Sequence, residues 1–254
     1  DGTLLYSVGD DRRYDVHAFD PNTLQGAILR LDVSVEDLAT GKPYSIPPNN
    51  PFVGGGGASE VFAHGFRTPY RFSVEPASEQ ALGWEVFVGD VGHDRREEIN
   101  RVVPGGDHGW PAREGTLCWA EEPCDDPGYV DPFVEYPHAL GMAVVGGAVY
   151  RGTAIDALRG RYVFGDYVAG HIYSAATDET EPAIELEVEG SFRLTSFATG
   201  HDGELYVLRY EYEGDEGGLY RLVANEPMRS GFPQRLSETG CVDMQDTDAV
   251  AQGT

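Results

Sequence analysis

The chain has 254 residues, of which 41% are hydrophobic and 24% are charged, a composition typical of a globular protein with an ordinary core. Eighteen Lys and Arg residues stand against 43 Asp and Glu residues, so the formal net charge is −25 and we expect no nucleic-acid partner. The sequence contains no run of about 18 apolar residues, so we expect no membrane insertion.

Short runs rich in tyrosine and β-branched residues, separated by Gly and Pro, predict an all-β fold. Four stretches share one pattern, in which a strand ends near Asp or Gly and a second strand follows after a loop. They are TLLYSVGD with GAILRLDV, WEVFVGD with EEINRVV, RYVFGDYV with GHIYSAA, and ELYVLRY with GGLYRLV. A repeat of roughly 40 to 60 residues favours the blades of a β-propeller, with a β-sandwich as the alternative.

Both ends of the sequence suggest that the propeller is incomplete. Four units are few for a closed ring, and residue 1 leads through an Asp-Gly turn directly into a strand. We therefore expect residues 1–224 to form a partial propeller of about four blades from an N-terminally truncated chain. Residues 225–254 lose the alternating pattern and are predicted to be a C-terminal extension or linker.

The cysteines do not follow a metal or redox motif. Cys118 and Cys124 are six residues apart, which is too wide for CxxC, so we expect a local disulfide between them. Such a bond would indicate an oxidising compartment. Cys241, in a polar tail, is interpreted as a free thiol or as the remnant of a longer segment.

Two segments offer candidate chemistry. HGFRTPYRFS places Arg67 in a constrained loop before a strand, where its guanidinium can bind a carboxylate or form a salt bridge between blades. VGDVGHDRREEIN follows a strand with a glycine-containing loop whose carbonyl oxygens suit calcium, although it lacks the spacing of an EF-hand. The charges of DRREE are equally consistent with a solvated face.

Common catalytic motifs are missing from the sequence. The histidines lie at positions 17, 64, 93, 108, 138, 171 and 201, without HExxH spacing. GxSxG, a Walker loop and a GxGxxG following a strand are also absent. Trp110 beside Pro111 is typical of a buried corner, and His108 is predicted to be a loop residue.

Taken in order, several motifs resemble one family. They are NTLQGAILRLDV, HGFRTPYRFS, GDVGHDRREEINRVVPGGDHGWP, EGTLC-x5-C, EYPH, VVGGAVYRG, RYVFGDYVAGHIY and DGELYVL. Over residues 1 to about 224 the chain resembles the glucose/sorbosone dehydrogenase family. That family comprises six-bladed propellers, including soluble quinoprotein sugar dehydrogenases and a Hedgehog-interacting-protein-like branch.

The resemblance implies pyrroloquinoline quinone (PQQ) near the propeller axis, polarised by a calcium ion. Arg67 corresponds to the arginine of the family's G-x-R-N-P motif, which binds the quinone and faces the substrate, so it is the candidate catalytic residue. Thr68 replaces the neighbouring asparagine. The carbonyl groups that support calcium correspond to those of Gly92 and His93.

Two further arginines correspond to contacts with the quinone. Arg151 matches the basic residue of the VY-K/R-G motif, and Arg193 matches an arginine before the Asp-Gly turn of the last blade. The companion of the latter is Thr195 in this chain. Three arginines facing a quinone with three carboxylates would attract it electrostatically in an otherwise acidic protein.

The implied reaction is the oxidation of an aldose to a lactone by hydride transfer to the quinone, with a histidine as general base. In the family that histidine precedes the D-G-x-L-Y strand with which this chain starts, so we expect this chain alone to be inactive. Export to the periplasm or outside the cell, and a c-type cytochrome or another electron acceptor, are further expectations. The alternative is a non-catalytic propeller that binds protein or carbohydrate, which Thr68, Thr195 and the Cys118/Cys124 pair favour.

Overall fold

The computed structural model describes residues 2–11, 17–34, 40–77, 80–119, 124–210, 217–224 and 242–246. In these residues, antiparallel strands form four sheets of three or four strands and one two-stranded hairpin. The first sheet contains β1 (Leu4–Val8), β2 (Ala27–Leu31) and β3 (Val61–His64). The second contains β4 (Pro69–Pro76), β5 (Trp84–Asp90) and β6 (Arg96–Arg101), followed by a separate hairpin of β7 (Arg113–Glu114) and β8 (Leu117–Cys118), and is completed by β9 (Val134–Pro137).

The third and fourth sheets each have four strands. The third contains β10 (Val144–Val149), β11 (Arg161–Asp166), β12 (Ile172–Ala176) and β13 (Glu185–Val188), with one turn of 3-10 helix at Asp156–Leu158. The fourth contains β14 (Arg193–Thr199), β15 (Leu205–Tyr210), β16 (Gly218–Ala224) and β17 (Val242–Asp246). Because β17 pairs with β16, the fourth sheet takes a strand from beyond residue 224, where the sequence predicts an extension.

The first strands of successive sheets lie side by side. Strand β10 packs against both β4 and β14, and β1 contacts β4. Sheets that follow one another around their first strands are the arrangement of propeller blades. Within the described residues the four sheets do not close a ring, so the prediction of a partial propeller is confirmed and the sandwich alternative is set aside.

Three apolar cores hold the sheets face to face. Phe62 and Val88 belong to the core between the first two sheets, Phe87 and Phe164 to the next, and Leu194 to the core between the last two. Strands buried on both faces have near-continuous apolar sequences, as in WEVFV and RYVFG. The sequence signal for these central strands is therefore strong.

The Gly-Asp dipeptide that ends several strands has a packing role. A Cβ atom on Gly89 would lie 2.7 Å from the backbone nitrogen of Gly146, so the second and third sheets meet there backbone to backbone. Gly146 itself has φ +87°, a left-handed conformation that favours glycine. This close contact brings the end of β5 next to the start of β10.

Two structural expectations concern the disulfide and the membrane. A disulfide joins Cys118 to Cys124, as the sequence predicts, and it anchors the end of β8. Cys241 lies outside the described residues. Among the described residues we find no helix with the length and apolar character needed to span a bilayer.

Candidate functional site

Arg67 lies in the loop before β4 and binds the loop that follows β5. Its Nη1 atom donates to the carbonyl oxygens of Val91 at 2.9 Å and Gly92 at 2.6 Å. Its guanidinium carbon also lies 5.7 Å from the ring centroid of Trp110, within range of a cation–π interaction. The candidate catalytic arginine is therefore held against the candidate calcium loop.

The backbone around Arg67 is fixed by a buried carboxylate. The side chain of Asp90, at the end of β5, accepts the N–H of Arg67 at 2.9 Å and that of Thr68 at 2.6 Å. Burial raises the pKa of Asp90 to about 7, against the lowering effect of these two N–H donors. Asp90 therefore joins the loop before β4 to the end of its neighbouring strand.

Glu114 holds the other side of the loop. Its Oε1 atom accepts the backbone N–H of His93 at 2.6 Å, of Asp94 at 2.8 Å and of Arg95 at 2.9 Å. Burial acts to raise the pKa of Glu114, but the backbone N–H donors outweigh it and the pKa is lowered. The carboxylate thus serves as a common acceptor for one turn of the loop.

The planarity of the peptide bond links Glu114 to Arg67. The N–H of His93 and the carbonyl of Gly92 belong to one trans peptide unit and point in opposite directions. Since Glu114 binds this N–H, the Gly92 carbonyl faces away from Glu114 and towards Arg67. A Cβ atom on Gly92 would lie 1.7 Å from the carbonyl oxygen of Arg96, so only glycine fits at this position.

A cavity of about 250 Å³ opens beside this loop. Its lining is mostly apolar and comes from several sheets. The lining residues are Tyr70, Val91, Ala143, Val144, Val145, Tyr167 and Thr195. The cavity therefore lies where the first strands of the second, third and fourth sheets meet.

Arg193 flanks the cavity from the fourth sheet. Its Nη1 atom donates to the carbonyl oxygens of Tyr167 at 3.2 Å and Val168 at 2.8 Å, and its guanidinium carbon lies 5.3 Å from the Tyr167 ring centroid. Arg67 is bonded in the same way to Val91, another residue of the lining. Each of the two arginines is thus attached to a wall of the cavity.

Arg151 lies elsewhere. Val144 and Val145, at the start of β10, line the cavity, whereas Arg151 follows the end of that strand, about 20 Å away at the usual rise per residue. Its Nη2 atom lies 3.4 Å from Oε2 of Glu75. The structure therefore brings Arg67, Thr68, Gly92, His93 and Arg193 to one end of the sheets and places Arg151 at the other.

His108 is a buried, neutral side chain. Burial lowers its pKa to about 3, and its ring stacks on Phe66 with centroids 4.4 Å apart. The Nδ1 atom lies 3.3 Å from Oδ1 of Asn100, which can only accept, so Nδ1 carries the proton. The side chain therefore belongs to the core, and its sequence position in a loop does not show this.

Sequence patterns do not predict a functional role for Glu114, Tyr70 or Tyr167. Glu114 lies in the same GGDHGWPAREG segment as Trp110, and the signal available was an acidic residue in a motif rich in glycine and turns. Tyr167 directly follows the Gly-Asp dipeptide that ends β11. A search for residues adjoining each Gly-Asp strand end would have found it.

Comparison with known proteins identifies related chains. The family model described as Glucose / Sorbosone dehydrogenase matches residues 1–221. The HIPL2 protein of Arabidopsis thaliana is 32% identical over 69% of this chain and 28% of its own length. The Hedgehog-interacting protein of Homo sapiens is 28% identical over 94% of this chain and 34% of its own length, and the aldose sugar dehydrogenase YliI of Escherichia coli K12 is 25% identical over 84% and 56%.

The fold also matches solved structures. A glucose dehydrogenase crystal structure superposes with a TM-score of 0.68 at 22% identity, covering 87% of this chain and 60% of that one. The PQQ-bound aldose sugar dehydrogenase of Streptomyces coelicolor gives 0.58 at 19% identity, covering 85% and 57%. At these identities the likeness shows the fold. The chain spans about a third of the Arabidopsis and human relatives that it matches.

Proposed function

The chain belongs to the glucose/sorbosone dehydrogenase family, and we propose that the protein oxidises aldose sugars to lactones with PQQ bound in the cavity between Arg67 and Arg193. The observation that supports this proposal is the cavity itself, which has a volume of about 250 Å³ and a guanidinium attached to each of two walls. Sugar dehydrogenases among the relatives are consistent with it.

The residues around the cavity fit the quinone. PQQ is a planar aromatic acid with three carboxylates, and guanidinium groups bind carboxylates with two parallel hydrogen bonds. Tyr70 and Tyr167 supply aromatic surface, and Thr195 adds a hydroxyl-bearing side chain to the lining. In a chain of net charge −25, this pair of cations marks a site for an anionic ligand.

When bound, the quinone would accept the hydride from the sugar. Arg67 would orient the quinone and face the substrate, and Arg193 would bind a carboxylate at the opposite wall. The apolar lining from β10 would exclude water from the reacting atoms.

The test is a titration with PQQ, followed by absorbance and calorimetry. Arg193→Ala is expected to weaken binding about tenfold or more, because one charge-assisted hydrogen bond to the ligand is lost. Arg151→Ala removes the same charge at the other end of β10 and is expected to leave the affinity unchanged. Equal affinity in the two variants would contradict the proposal.

A second candidate function is supported by a specific feature of the cavity. Thr195 lines the cavity in place of the family residue that accompanies the arginine matched by Arg193, and Thr68 stands in place of an asparagine. Both changes reduce the polar contacts available to a quinone. With relatives named Hedgehog-interacting protein, they favour a non-catalytic propeller that binds a protein or carbohydrate. Failure to bind PQQ, together with binding to a glycan array, would support this alternative.

We further propose a secreted or periplasmic location. The disulfide between Cys118 and Cys124 supports it, because such bonds persist in oxidising compartments. The involvement of a c-type cytochrome as electron acceptor stays a prediction. It is tested by following cytochrome reduction in the presence of an aldose and PQQ.

A further inference from the structure

We infer that Arg67 replaces the metal ion. Its guanidinium occupies the cation position at the carbonyl groups of Val91 and Gly92. The site then binds an anionic organic ligand without calcium. The bond from Arg67 Nη1 to the Gly92 oxygen is 2.6 Å long. Calcium lies 2.3–2.6 Å from its oxygen ligands, so the guanidinium approaches this oxygen as closely as the ion would.

The carbonyl groups and the arginine are both held in place. Glu114 binds the N–H of His93 and thereby turns the Gly92 carbonyl towards Arg67. Asp90 binds the backbone N–H groups of Arg67 and Thr68 on the other side. The contact therefore lies between two segments that are each fixed by a buried carboxylate, so the structure supports it from both sides.

The surrounding groups do not provide a calcium site. Calcium in proteins takes six to eight oxygen ligands, carboxylates among them. Both carboxylate oxygens of Asp90 and the Oε1 atom of Glu114 are directed at backbone N–H groups. Within the described ranges, no three His, Cys, Asp or Glu side chains are grouped to hold a metal. A second cation on the Gly92 oxygen would also be repelled by the guanidinium.

The same arrangement leaves Arg67 suited to an anionic ligand. Its Nε atom is buried and has no hydrogen-bond partner among the described residues. Its Nη1 atom is bonded to Val91, which lines the cavity. The positive charge at this wall is therefore supplied by the protein chain. The assignment of the ligand as PQQ rests on the proposed function, whereas the replacement of the metal ion does not.

The direct test uses terbium as a luminescent probe for calcium, since Trp110 lies beside Arg67 and would sensitise its emission. We expect no sensitised emission that calcium displaces in the wild-type protein. Arg67→Ala removes the repelling guanidinium and frees the two carbonyl groups, so we expect it to bind terbium more tightly than the wild-type protein, with water completing the coordination. Arg67→Gln, which keeps much of the side-chain volume, serves if the alanine variant does not fold. A calcium-displaced signal in the wild-type protein would overturn the inference.

A second measurement separates this inference from the proposed function. PQQ is titrated in calcium and again in EDTA, and we expect dissociation constants that agree within about twofold. An affinity at least tenfold higher in calcium would overturn the inference and leave the proposed function standing. Absence of PQQ binding in both buffers would overturn the proposed function, and the terbium experiment would still decide the role of Arg67.

Discussion

Glu114 accepts the backbone N–H of His93 at 2.6 Å and thereby joins the β7–β8 hairpin to the loop after β5. The same oxygen binds the N–H groups of Asp94 and Arg95, and the side chain is fully buried. The hairpin is therefore a support for the candidate site. Its anchoring by the disulfide at Cys118 serves the same geometry.

Replacing Glu114 tests this support. Glu114→Ala leaves several N–H groups of the loop without their acceptor and should reduce the free energy of unfolding by about 3 kcal/mol. Glu114→Gln retains an oxygen at the same position and should reduce the free energy of unfolding much less. Urea denaturation measures the stability, and hydrogen exchange at residues 93–95 should accelerate in the alanine variant. Unchanged exchange there would show that the loop does not depend on Glu114.

Thr195 allows the ligand preference of the cavity to be changed. Thr195→Arg places a guanidinium at a position that lines the cavity and should raise the affinity for PQQ about tenfold, the effect of one additional charge-assisted hydrogen bond. Thr199→Arg adds the same charge at the other end of β14 and serves as the control. Calorimetric titration measures both. Equal gains would indicate a general charge effect and contradict a specific role for position 195.

The central strands could be predicted because their burial leaves a strong pattern. Strands β5 and β11 are apolar on both faces and end in the same Gly-Asp dipeptide, so WEVFVGD and RYVFGD both indicate a blade. Arg67 was found for a similar reason, since glycine and proline constrain the loop around it. The position of a residue can be predicted from the local sequence where neighbouring residues alone determine the structure around it.

Contacts between distant segments could not be predicted in the same way. Glu114 lies 21 residues from His93, and its four-residue segment AREG does not show which backbone it binds. Arg151 matches a motif, but the motif does not show that the residue follows the end of β10 remote from the cavity. Strand β17 pairs with β16 although it lies in a polar segment that predicts an extension. Where these residues lie depends on how the strands pair in the sheets, and the sequence pattern does not show that pairing.

The close contact between Gly89 and Gly146 should prevent larger side chains at position 89 from fitting between the second and third sheets. A Cβ atom at position 89 would lie 2.7 Å from the Gly146 nitrogen, so Gly89→Ala forces the two sheets apart and should cost about 2 kcal/mol. Gly54→Ala meets no atom within 4 Å and is the matched control. The denaturation midpoints of the two variants check this. A shared midpoint would mean that the sheets adjust without cost.

Glu98 should make stability depend on pH. Burial and the charge of Asp90 raise its pKa from 4.5 to about 8, against the N–H donors of Gly115 and Asn100. The folded protein therefore keeps this proton up to about pH 8, whereas the unfolded chain releases it near 4.5. The stabilisation is complete below pH 4.5 and is lost as the pH rises through 8, with a slope of at most about 1.4 kcal/mol per pH unit.

Urea denaturation between pH 5 and pH 8 measures this slope. The urea midpoint of the wild-type protein should fall as the pH rises. The midpoint of Glu98→Gln, whose side chain cannot ionise, should fall less. Glu179→Gln changes an exposed residue and should follow the wild-type protein. Other carboxyl groups titrate in both proteins, so the informative quantity is the difference between the two slopes. A Glu98→Gln variant as steep as the wild-type protein would exclude Glu98 as the source of the dependence.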